Sequence, residues 1–395
     1  MERKTKVLVL LLSVSIILSG LSTAILAQSE DTLKAGFIYV GPVGDYGYSK
    51  GHDEGRKYVE EHFSWLDTFY AENVLPPDVE STIDRFVKKR NADVIFTTSF
   101  GMMDPTVRSA EKYPDTIFFH CSGYKRAKNL GTYFAGLYQT YYLNGLMAGA
   151  LTESDKLGYV AVNATPEVKR HINAFAIGIH EVNPDATLHP RWLMDPTWVD
   201  PEGAKEATEA LVEENVDVFA FTEDTPATLQ AAQENGALSF SHYNPMYRFA
   251  KDATVSGQVA DWGPIYADIL YKVRNGIYTN ENLQNVDYWW LIKEGVAKLE
   301  AKPGMMINPK YVDELKSTTV DNPYFGEISV YDLILKRIEQ MKSARVTFDP
   351  YIGPMKDRQG IQRLKDGEWA SHDQLWTMQW AFNNIKGPWP GEPKE

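Results

Sequence analysis

Residues 35–57 read AGFIYVGPVGDYGYSKGHDEGRK. Ala35–Val40 is an apolar run of strand length, Gly41, Pro42, Gly44 and Gly47 impose a turn, and from Tyr48 onward the spacing predicts a helix. In open α/β sheets, ligands sit in the crevice beyond the carboxyl ends of the strands. Asp45, Tyr48 and Ser49 fall in that crevice. Asp45 fits two roles equally, a ligand contact or a cap for the helix that follows. His52 and Asp53, one turn further on, are better placed to hold geometry than to touch a ligand.

The alternation continues for about two hundred residues. Further strands are expected at Asp67–Ala71, Asp93–Thr98, Thr116–Cys121, Leu157–Asn163, Thr187–Trp192, Asp217–Thr222 and Ala237–Ser241. Most are short apolar runs, as in parallel strands covered on both faces. Helices are expected at Tyr48–Phe63, Val79–Lys89, Thr106–Lys112, Glu167–Val182, Pro201–Asn215 and Thr225–Asn235. Pro201 stands at a first helical position, with Ala204, Ala207, Leu211 and Val212 on one face. This pattern predicts an α/β fold with mostly parallel sheets and helices on both faces.

A seam divides the pattern: Leu137–Leu151 reads as a long helix, and the polar linker Thr152–Lys156 precedes a restart at Leu157. Beyond Thr254 the chain offers a strand at Thr254–Val259, a helix at Trp262–Asn275, a strand pair within Asp287–Leu299 and a helix within Ile328–Arg345. The expected organisation is a first lobe of residues 33–153 plus about 254–280, and a second of 156–245 plus about 285–345. The end, residues 346–395, carries FDPYIGPMK and Trp369, Trp376, Trp380 and Trp389. It is too aromatic for disorder and reads as a strap across the second lobe.

Residues 1–27 are basic at Arg3, Lys4 and Lys6, then apolar from Val7 to Ala27, the pattern of a signal peptide or N-terminal anchor. The remainder is expected to face outward, at a cell surface or in a periplasm. Net charge is −13 for the whole chain. An acidic surface repels phosphate backbones and anionic lipid, which argues against a nucleic-acid partner. Cys121 is the only cysteine; it excludes an internal disulfide and a thiolate-rich zinc site, and its apolar flanks place it in a core strand. The leader lacks the cysteine that lipid attachment needs.

There is no GxSxG, P-loop or HExxH motif, and the eight histidines are scattered. No cofactor or metal is expected. What remains is a set of aromatic and acidic residues at strand ends: Tyr48 after the first strand, Phe100 and Gly101 after the third, and Asn163 after the first of the second half. Trp198 lies in DPTWVDP, Glu223 and Asp224 follow VFAFT, and Asp261 and Trp262 end QVADWGP. Aromatic faces with carboxylates suit a flat, nitrogen-rich ring, because the faces stack and the carboxylates accept N–H bonds. A sugar would also stack; an amino acid would call for an Arg, and only Arg170, set back on a helix, is near. Each of these aromatics could equally be packing.

Segments spread from Leu33 to Gly387 resemble the basic membrane protein (PnrA-like) family of substrate-binding proteins, the receptors of some ABC importers. They include GFIYVGPVGDYGYSKGHDEGR, TYFAGLYQTYYLNGLMAG, GYVAVNATPEV, DPTWVDPEGAKEAT, VDVFAFTEDTPATLQAAQENG, QVADWGPIY and FDPYIGPMKDRQG. The resemblance implies the type I periplasmic binding protein fold, two doubly wound lobes joined by hinge strands, and a monomer that presents a purine to an ABC permease. Nucleoside-binding members carry a Gly-x-Asp pattern after the last strand of the second lobe and a Lys on the returning strand. Here SFSHYNP (Ser239–Pro245) and Gln258 stand at those places. The TWVDP, TEDTP and VADWGP segments and the GPMKDRQG tail instead look like a branch associated with adenine. The expected ligand is therefore a purine base, with a nucleoside as the alternative. A purine-processing enzyme or a tethered sensor is a more distant reading.

Overall fold

The computed structural model describes residues 32–44, 46–195 and 198–393. The leader at 1–27 and Asp45 lie outside the described residues. The first lobe opens β1 (Leu33–Ile38), α1 (Tyr48–His62), β2 (Leu66–Ala71), α2 (Val79–Arg90) and β3 (Val94–Thr97). It continues through α3 (Met103–Lys112), β4 (Ile117–Cys121) and β5 (Leu130–Ala135). Then come α4 (Tyr138–Leu151), β6 (Lys156–Ala161), α5 (Pro166–Val182), β7 (Thr187–Trp192), α6 (Pro201–Glu213) and β8 (Val218–Thr222). After these lie α7 (Ala227–Glu234), β9 (Leu238–Tyr243), β10 (Thr254–Ala260), α8 (Gly263–Arg274), β11 (Asp287–Trp290) and β12 (Ala297–Leu299).

Two six-stranded sheets result, ordered β11-β5-β4-β3-β1-β2 and β12-β10-β9-β8-β6-β7. The first is parallel throughout; in the second only β12 runs antiparallel, against β10. The orders are the same doubly wound pattern written twice, and each reverses beside its own first strand. Such a reversal opens a crevice at the carboxyl ends of the strands. The two crevices face each other.

The chain passes between lobes at Gly136–Leu137, at Asp261–Trp262 and at Leu291–Val296. These crossings move three of the expected boundaries. Helix α4 belongs to the second lobe, where it packs along α5, so the seam falls before the helix and not at the polar linker after it. Strand β10, expected in the first lobe, lies in the second sheet beside β9. The expected strand pair within 287–299 is split, β11 joining the first sheet and β12 the second. Strand β5 has no counterpart among the strands expected from the sequence. Its residues LGTYFA run almost without a break into α4, so no turn marks its end.

Helix α4 is buried nearly all round, as an apolar helix without a polar face must be. Its close approach to α5 depends on Gly145 and Gly178: a Cβ at either would stand 2.2 Å from a backbone oxygen of the other helix. Among the described residues no helix is long and apolar enough to cross a membrane.

After β12 follow α9 (Pro309–Ser317), the hairpin β13 (Thr319–Asn322) and β14 (Gly326–Ser329), and α10 (Val330–Lys342). The tail holds a small hairpin, β15 (Met355–Lys356) with β16 (Gln362–Leu364), and the short α11 (His372–Trp376). Its aromatic residues fold over the second lobe. Asn384 and Lys386 hydrogen-bond the backbone of Leu188, covering the free edge of β7. Asn173 on α5 donates to the carbonyl of Trp380 at 2.9 Å and accepts from the amide of Phe382 at 2.8 Å. Trp376 also packs against Trp289 and Phe134 of the first lobe, so the strap touches both.

Candidate functional site

Where the two crevices meet, a narrow cavity of about 30 Å³ lies between the lobes. The first lobe contributes Val40, Tyr48, Ser99, Phe100 and Ser122; the second contributes Glu167, Trp198, Asp224 and Tyr243.

The turn after β1 is set by Ser49, whose hydroxyl accepts from the amide of Gly41 at 3.0 Å. It delivers Tyr48 at the start of α1. The Tyr48 hydroxyl donates to the carbonyl of Thr98 and lies 3.3 Å from the Cys121 thiol, which anchors the ring across the ends of β3 and β4. Phe100, in the short turn that follows β3, is among the more exposed large apolar residues of the protein.

On the second lobe, Asn163 donates to the carbonyl of Asp195 at 2.6 Å and so steadies the loop that carries Trp198. Trp198 itself has a left-handed backbone, φ +67°, and its carbonyl accepts from the amide of Asp224 at 3.1 Å. Asp224 is 5% exposed. Its Oδ1 accepts from the amide of Tyr48 at 3.1 Å, and the side chain of Asn244 donates to the carbonyl of Gly47. Both bonds run from the second lobe to the head of α1. Outside them Tyr46 packs on Phe249, ring centres 5.1 Å apart, under the guanidinium of Arg248 at 4.0 Å.

Glu167, at the head of α5, accepts from the Tyr243 hydroxyl at 2.5 Å. Burial raises its pKa above the usual carboxylate range. The phenols of Tyr48 and Tyr243 are pushed well above 10, again by burial first, so both stay neutral hydrogen-bond donors. The cavity is thus walled by aromatic rings and by two carboxyl groups on the second lobe. No Lys, Arg or His is among its lining residues. Nor is any cluster of His, Cys, Asp and Glu among the described residues arranged to hold a metal ion.

Of the residues singled out from the sequence, Tyr48, Phe100, Trp198 and Asp224 line the cavity, while Gly101, Asn163, Glu223, Asp261 and Trp262 do not. Trp262 is 1% exposed and stacks on His52 at 4.1 Å, behind Tyr48. Asp261 sits at a lobe crossing, where it pairs with Lys298 and accepts from the amide of Gly263 at the start of α8. Glu223 points into the second lobe, hydrogen-bonded to Thr225, with its other oxygen buried and without a partner. Burial lifts its pKa to about 8. Gln258 is buried on β10, accepting from Asn144 at 2.6 Å. Ser122, Glu167 and Tyr243 were not singled out. The strand-end rule reaches two of them, since Ser122 follows β4 and Tyr243 closes β9.

The family described as ABC transporter substrate-binding protein PnrA-like matches residues 32–333. A purine-binding protein of Brucella abortus is 34% identical over 366 residues, covering 92% of this chain and 96% of its own. A candidate ABC transporter glucose-binding protein of Haloferax volcanii is 36% identical over 288 residues, 73% of this chain and 71% of its own. The crystal structure of an ABC transporter solute-binding protein from Aeropyrum pernix covers 87% of this chain and 95% of its own with a TM-score of 0.65; at 16% identity it speaks for the fold alone. Matched over most of its length, and with a cavity between two doubly wound lobes, the chain belongs to the PnrA-like family of ABC transporter substrate-binding proteins.

Proposed function

We propose that the cavity takes a purine base, adenine first, and that its capture between the lobes is the signal an ABC permease reads. The observation that carries this reading is the composition of the cavity wall. Tyr48, Phe100, Trp198 and Tyr243 offer ring faces and edges, Asp224 and Glu167 offer acceptors, and no cation is among the lining residues. A neutral planar ring rich in N–H donors satisfies such a wall, while an anionic ligand would bury charge against two carboxyl groups. The purine-binding name of the Brucella relative supports the same reading. Contacts to both lobes exist only when the lobes meet, so a ligand that makes them shifts the population toward the closed form.

A nucleoside in place of the free base is the alternative. The glucose-binding name of the Haloferax relative favours a second reading, a sugar stacked on the same aromatics. On either reading the protein works as an exported monomer, released or held by its leader.

Thermal unfolding with adenine, adenosine, guanosine, hypoxanthine, glucose and an amino-acid mixture separates these cases. A ligand at about 100 times its dissociation constant adds about 2.7 kcal/mol to the folded state, enough for a shift of several degrees. A shift with adenine alone supports the free-base reading. A larger shift with a nucleoside or with glucose replaces it.

A further inference from the structure

Tyr243, the last residue of β9, has φ +57°. The amide of Asn244 donates to the carbonyl of His242 at 2.7 Å, so Tyr243 is the centre of a three-residue turn. A turn of this kind with positive φ is rare and strained for a residue bearing a side chain, and such strain persists where the surroundings over-determine it. Here the turn sends the ring to the cavity wall, edge-on to Tyr48 with centres 5.0 Å apart and planes at 63°. The next residue, Asn244, reaches across to Gly47. The hydroxyl is committed to Glu167 at 2.5 Å, and the residue is 6% exposed.

The ring therefore spans from the second lobe to Tyr48 of the first and shuts the cavity at its β9 side. We infer that Tyr243 is a specificity residue that admits a flat heterocycle and turns away the same heterocycle carrying a sugar. This rests on the purine reading above. A sugar that extended past the planar ring would meet an aromatic edge where its hydroxyls need partners, and a site discriminates strongly when buried polar groups are left unpaired.

The test is calorimetric titration of wild type, Tyr243→Gly and Tyr243→Phe with adenine and with adenosine. Glycine takes the positive φ without strain, so the Gly variant keeps the backbone turn while removing the ring; circular dichroism checks that it folds. The preference for adenine over adenosine is expected to fall about tenfold or more in Tyr243→Gly and to stay close to wild type in Tyr243→Phe, which keeps the ring. An unchanged preference in Tyr243→Gly overturns the inference, and so does an equal fall in Tyr243→Phe, which would make the hydroxyl the discriminator. A wild type that binds adenosine better than adenine overturns it as well. Wild-type protein that binds neither compound overturns the purine reading and this inference with it, whereas binding with an unmoved preference overturns this inference alone.

Discussion

The carboxylate of Asp224 accepts a hydrogen bond from the backbone amide of Tyr48 at 3.1 Å, although 176 residues and a lobe boundary separate them. The amides at the head of a helix attract negative charge, and Tyr48 is the first residue of α1. A residue of the second lobe supplies that charge. Closing the cleft therefore brings a carboxylate of the second lobe to the head of the first lobe's first helix. Asp224→Ala is expected to weaken ligand binding more than tenfold, because a charge-assisted bond is worth roughly 1.5–3 kcal/mol and exists only when the lobes meet. The unliganded variant should melt within a few degrees of wild type. Titration calorimetry alongside a melting curve checks both; full affinity would remove Asp224 from the closure.

Gly47 tests the same contact by bulk. A Cβ there would stand 2.6 Å from Asp224 Oδ1 and 2.7 Å from the Asp224 Cα. Gly47→Ala should hold the lobes apart, giving a radius of gyration by X-ray scattering that no longer shrinks with ligand. Normal compaction would show that the interface yields.

Trp198 is expected to act through its face. Stacking is worth roughly 1–3 kcal/mol per ring, so Trp198→Ala should cost about tenfold to a hundredfold in affinity. Its backbone contacts to Asp195 and Asp224 survive the change, and melting of the unliganded protein should move little. Unaltered affinity would reassign the side chain to packing.

Glu223 predicts a pH effect. Its buried carboxyl titrates at about 8 instead of its ordinary 4.5. Between those values the folded protein holds a proton that the unfolded chain has lost. The contribution to stability is thus fully present below about 4.5 and is lost as pH rises through about 8. The slope reaches up to about 1.4 kcal/mol per pH unit. Glu223→Gln cannot ionise and should flatten that decline in urea titrations from pH 5 to 8; parallel curves for the two proteins would refute the assignment.

Asn173 bonds the tail at Met378, Trp380 and Phe382, and alanine there leaves the buried Phe382 amide unpaired at roughly 1–3 kcal/mol. Hydrogen exchange in Asn173→Ala should quicken across residues 378–389 while strands β1 to β5 keep their protection. Uniform loosening would mean the tail and the lobes unfold together.

Local signals carried most of the fold into the sequence. The strand–turn–helix at Ala35–Lys57 and the Pro201 helix start are decided by residues a few places apart, and both stand where periodicity put them. The lobe crossings were not legible, because they depend on which sheet edge a strand pairs with. β10 has the composition of a strand in either lobe, and only its register with β9 settles the matter. The site divides the same way. Tyr48 and Asp224 follow strands and were accessible to the strand-end rule. Trp262 satisfies that rule too, yet its indole turns back onto His52. Tyr243 is the converse: its ring reaches the cavity through a backbone angle that a tyrosine seldom adopts, which side-chain type does not disclose.

The lone thiol has a use in the laboratory. Cys121 is fully buried beneath Tyr48, and burial raises its pKa far above the ordinary range, so it presents almost no thiolate to a reagent. Cysteines introduced on the outer surface of each lobe would take a donor and an acceptor dye without competition from the native residue. The opening and closing of single molecules could then be watched in the otherwise unaltered protein.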